Sequence, residues 1–101
     1  MHYYHSIQAC VKYQGYEFIL PKTLTREQYE LIRNLVLSLG VNTNPPNFPV
    51  LHIKNVLFFI EFPSYGFPAF KINFYKNTPT DQVEHCLGII NDCLKTQLQQ
   101  E

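Results

Sequence analysis

Four histidines, His2, His5, His52 and His85, offer this chain its clearest routes to proton transfer or metal binding. His85 has the richest surroundings, because Asp81 lies one helical turn before it and Asp92 two turns after it. A carboxylate at that spacing can tune a histidine's proton affinity or share a metal with it. Gly88 falls on the same face, where it costs about 1 kcal/mol relative to alanine and lets another backbone approach. The plainer reading, a solvated helix face with a mild Asp and His attraction, is preferred. His2 and His5 flank Tyr3 and Tyr4 near the N-terminus and read as solvated sequence rather than a ligand set. His52 sits between Leu51 and Ile53; a two-histidine nuclease pair would need a second histidine at position 54, which is lysine. Glu61, the one acid inside an apolar run, makes His52 with Glu61 the second acid-base pair to consider. No metal and no cofactor are expected.

Nucleophiles are no better placed. Cys86 follows His85 directly, but neighbours on a helix point about 100° apart, so His85 faces water while Cys86 faces the core. A buried thiol without a base is inert. Cys10, on the polar side of the first strand, is the expected exposed thiol, and nothing pairs it with a base. Ser6, Ser38 and Ser64 carry no elbow motif, and four glycines are too few for a phosphate-cradling loop. The sequence therefore predicts a non-catalytic protein.

Charge narrows the partners. Eight basic and eight acidic side chains cancel, so no basic field exists to attract nucleic acid, and near-zero net charge favours association. Tyr4, Phe59 and Tyr75 with Lys12 and Lys71 are candidates for base stacking on a sheet, but without such a field a core or interface role is preferred. Cys10, Cys86 and Cys93 are an odd set without zinc-site or redox spacing, which predicts free thiols and a reducing cytoplasm. Neither a secretory leader nor an 18-residue apolar span is found, so no membrane association is expected. At 101 residues, 46% apolar and 15% aromatic, residues 1–101 are expected to form one folded domain.

The elements that must position these residues follow from periodicity. Tyr3 to Tyr13 alternates as a half-buried strand, Gln14 and Gly15 supply a turn, and Tyr16 to Leu20 returns. Thr25 to Gln28 fits a capping box, with Leu24 and Tyr29 as its hydrophobic staple. The helix it starts carries an apolar stripe of Leu31, Ile32, Leu35, Val36 and Leu39 and ends at Gly40. Leu37 falls in the polar stripe and is expected to be exposed. Asn42 to Pro49 reads as loop. Strands are expected at Val50–Ile53 and Val56–Phe62, joined by Lys54 and Asn55, and at Ala69–Tyr75 after a turn over Pro63–Pro68. Thr78 should cap a second helix with Pro79 at its first position and Val83, Cys86, Leu87, Ile90, Cys93, Leu94 and Leu98 along one stripe. The result is an α+β two-layer sandwich, a five-stranded mostly antiparallel sheet with two helices in the order β-β-α-β-β-β-α. Profilin-like, longin and roadblock-type modules share that element order, a likeness of topology to which no motif is attached.

Function rests on one segment. Val56 to Ile60, followed by Glu61 and Phe62, does not alternate, as expected of a strand buried on both faces. Two helices cannot cover a sheet twice, so a partner should complete the burial. The expectation is a small protein-interaction or assembly domain, a homodimer or a subunit of a complex, that uses an apolar sheet face. Leu37, Leu57, Phe59 and Tyr75 are its predicted interface. The alternative is a small-molecule-binding or sensory module with an apolar pocket between sheet and first helix, rimmed by Pro63–Pro68 with Tyr65 and Phe67.

Overall fold

The computed structural model describes residues 3–8, 11–20, 24–63 and 69–99. Along the chain run β1 (Tyr4–Ile7), β2 (Tyr13–Ile19), α1 (Arg26–Leu37), β3 (Val41–Asn42), β4 (Val50–Lys54), β5 (Phe58–Pro63), β6 (Ala69–Tyr75) and α2 (Thr80–Gln99). The strands form one sheet in the order β1-β2-β6-β5-β4-β3, every neighbouring pair antiparallel. The α+β two-layer sandwich stands, with six strands rather than five. The extra one, β3, is two residues long and pairs only with Lys54 and Ile53, too short to leave a periodic signal.

One core holds both layers together. Phe18, Ile53, Ile60, Ile72 and Phe74 from the sheet join Ile32 and Val36 of α1 and Val83, Leu87 and Leu94 of α2 in a single buried cluster. Both helices therefore lie on the same side of the sheet, and its other face carries no helix among the described residues. In α1 the capping box forms as expected: Gln28 N–H donates to Thr25 Oγ1 at 3.1 Å and Thr25 N–H to Gln28 Oε1 at 2.9 Å. In α2 the expected stripe is buried or half-buried, but the helix starts one residue late, with Val83 N–H donating to the Pro79 carbonyl at 3.1 Å. Asn91 on α2 is buried and accepts Tyr3 N–H at 2.8 Å, tying the first described residue to the last helix.

Three expectations are corrected. The first hairpin turns between Ile7 and Tyr13, so Gly15 lies inside β2, opposite Ile7 and Asn73. The alternation of β2 extends upstream because β6 pairs along its whole length. Leu37 is half-buried against the core rather than exposed, since it is the last residue of α1, where the chain folds in toward β3. Leu31 takes the opposite fate at 46% exposure, because the buried face of α1 centres on Ile32 and Val36.

The segment that suggested a doubly buried strand is a turn followed by an alternating strand. Val56 is 91% exposed, and Leu57 lies half-buried against the core. Asn55 organises this turn: its Oδ1 accepts Leu57 N–H at 2.7 Å and Phe58 N–H at 2.9 Å, and its Nδ2 donates to the Leu39 carbonyl at 2.9 Å. Beyond it Phe58, Ile60 and Phe62 point to the helices while Phe59 and Glu61 point away. On the second face of β5, Phe59 is the one aromatic side chain, followed by Glu61 and Pro63.

Tyr29 fastens α1 to the end of β5, its hydroxyl donating to the Pro63 carbonyl at 2.6 Å. Desolvation raises the Tyr29 pKa above 10.0, with nearby Arg33 acting in the opposite direction. The folded chain thus holds this proton more tightly than the unfolded chain. Its stabilising contribution is full below pH 10 and is lost as pH rises through the higher folded value. Urea unfolding at about pH 9 and about pH 11 should show wild type losing more stability across that step than Tyr29→Phe. Equal losses would contradict the assignment.

Candidate binding surface

Register places a row of titratable side chains across the open face. His5 lies opposite Glu17, Glu17 opposite Lys71, Lys71 opposite Glu61, and Glu61 opposite His52. Opposite charges at directly paired positions contribute about 0.2 to 1 kcal/mol each. The closest described contact in the row is His5 Nε2 to Glu17 Oε1 at 3.5 Å. Glu17, Lys71 and Glu61 alternate in sign, and sealing them beneath an apolar surface would cost the hydration of each charge.

Beside the row lies an aromatic patch. Tyr13 pairs with Tyr75, and its ring meets Phe59 across β6 at 5.1 Å and 87°. Tyr75 lies 5.8 Å from Tyr13, and His52 packs edge to face on Phe59 at 4.9 Å and 80°. These four rings line a concavity of about 430 Å³, with Glu61 and Lys54 as its charged members. Asn44 and Phe48, from the connection between β3 and β4, make its wall.

The asparagines of that connection explain how a proline-rich segment holds a wall in place. Asn42 Oδ1 accepts His52 N–H at 3.1 Å and Asn44 N–H at 3.2 Å, while Asn44 Nδ2 donates to the Val50 carbonyl at 2.7 Å. Side-chain amides thus substitute for a ladder that prolines cannot donate to. Thr43 completes the clasp, its hydroxyl 2.9 Å from His52 Nδ1 and its N–H 2.9 Å from the His52 carbonyl. His52 is thereby fixed as part of the floor.

Of the predicted interface residues, Phe59 and Tyr75 come together in the concavity, whereas Leu37 and Leu57 pack on the chain's own core. Tyr4 lies on the helix side, near Tyr16 at 6.3 Å and Phe18 at 5.3 Å, so the stacking trio expected from Tyr4, Phe59 and Tyr75 does not share a face. The concavity sits between the open face and the β3–β4 connection, not between sheet and first helix. His52 and Glu61 are brought side by side. His85 stays exposed on α2, and among the described residues no three His, Cys, Asp or Glu side chains are grouped to hold a metal. Burial raises the Cys86 thiol's pKa, which keeps it protonated and unreactive. His2, Cys10 and the rim residues Tyr65 and Phe67 lie outside the described residues. No described helix is long and apolar enough to cross a membrane.

Tyr13, Asn44 and Phe48 are site residues that sequence reasoning missed. For Tyr13 the signal was a tyrosine directly opposite Tyr75, visible only with the β2–β6 register in hand. No known family model matches the chain, and no curated protein or solved structure is significantly similar to it.

Proposed function

We propose that this chain is a small non-catalytic protein-interaction domain that docks a second copy or another subunit on the uncovered face of its sheet. One observation carries the reading: Tyr13, Phe59 and Tyr75 gather around a concavity on the face that, among the described residues, no helix covers. Aromatic anchors in a pocket, ringed by polar groups that stay wet, are the arrangement from which interfaces draw most of their energy. The row of Glu17, Lys71 and Glu61 supplies such a rim, and a chain of zero formal net charge disfavours a phosphate backbone as partner. Cys86 and Cys93 are free thiols, in keeping with a reducing cytoplasm.

A small molecule in the same concavity is the second reading, favoured by its volume, which falls within the roughly 300 to 1,000 Å³ common for ligand pockets. Photo-crosslinking in cells separates the two. A photoreactive side chain at Val41, whose cross-strand partner Lys54 lines the concavity, should give a protein adduct of defined mass. The same group at exposed Ile89 on α2 should not. Equal adducts from both positions, or none from Val41, would contradict the interaction reading.

A further inference from the structure

Resting on that interaction reading, we propose that the concavity receives the guanidinium of an arginine side chain from the protein partner. Aromatic faces are electron-rich and attract cations, and three aromatic side chains, Tyr13, Phe59 and Tyr75, line the concavity. Glu61 adds a full negative charge to the same lining. It is exposed, and among the described residues it makes no ion pair within 4.0 Å, although Lys71 and His52 are its cross-strand neighbours. An apolar occupant would strip water from this carboxylate and return nothing, a neutral polar one would return an uncharged hydrogen bond, and an anionic one would be repelled.

Lys54 is the opposing charge. It ends β4 and is exposed, so its long flexible stem can carry the ammonium out to water. Glu61 has less reach: its side chain is shorter than that of Lys54 and springs from the interior of β5, within the lining of the concavity. The sign of the filled pocket is therefore set by Glu61. A guanidinium suits this lining better than an ammonium, because it is planar, stacks on rings, sheds water more readily and bonds a carboxylate through two N–H groups at once.

The test is a titration of the full chain, followed through the ring protons of Tyr13, Phe59 and Tyr75, with acetyl-Gly-Arg-Gly-amide. Its citrulline counterpart has nearly the same shape without the charge, and acetyl-Gly-Glu-Gly-amide carries the opposite charge. The arginine peptide should shift these resonances, with the citrulline peptide about tenfold weaker or worse, as expected for losing a charged hydrogen bond. Glu61→Gln should lose a similar factor, whereas Lys54→Met should bind as well or better. Equal binding of citrulline, an unaffected Glu61→Gln, preference for the glutamate peptide, or no shift with any peptide would each overturn the assignment. Adducts from Val41 without an arginine preference would sink this proposal and leave the interaction reading standing.

Discussion

Gly40→Ala should destabilise the fold by about 3 kcal/mol, the upper part of the range for forcing a methyl group into a filled space. A Cβ on Gly40 would sit 2.8 Å from the carbonyl carbon of Lys54 and closer still to its oxygen, with Ile53 Cγ2 at 3.2 Å. The obstacle is backbone, so no rotamer change relieves it. Gly40 lies between α1 and β3, and β3 carries the Asn42 clasp on His52. The same substitution at Gly88 meets nothing within 4 Å and should stabilise α2 by about 1 kcal/mol, since alanine is the better helix former. Two additions of one methyl group are thus expected to move the urea midpoint in opposite directions. Shifts of the same sign would contradict the packing described.

Local chemistry was legible in the sequence, and long-range register was not. The Thr25 capping box, the α2 stripe and the alternation of Phe70, Ile72 and Phe74 each depend on residues a few positions apart, and each is observed. The first hairpin was misplaced because a glycine was read as a turn. Gly15 instead lies within β2, where pairing with β6 fixes it. Val56 and Leu57 looked like strand because a turn made by one asparagine side chain leaves no glycine or proline to mark it.

The site divides along the same line. Phe59 and Tyr75 were legible because each belongs to a recognisable strand. Tyr13 joins them only through the β2–β6 register, and the Asn44 and Phe48 wall only through the Asn42 clasp. Leu37 and Leu57 were chosen for being apolar where polar residues were expected, and both turned out to serve the core.

Phe59→Asp carries the largest expected effect on binding. Phe59 is half-buried on the open face among the rings of Tyr13 and His52, so aspartate there should leave the helix-side core intact. It would also remove the ring against which both Tyr13 and His52 pack, leaving their edge-to-face contacts unmade. Losing a central aromatic anchor costs about 2 kcal/mol or more, which is about thirtyfold in affinity. Ile89→Asp, on exposed α2 surface, should cost nothing comparable.

The direct measurement is the sedimentation mass of the assembly that contains this 11.9 kDa chain, in wild type and both variants, with circular dichroism confirming the fold. Wild type and Ile89→Asp should sediment as the larger species and Phe59→Asp as the lone chain. If folded Phe59→Asp keeps the wild-type mass, or Ile89→Asp loses it, the open face is not where the partner binds.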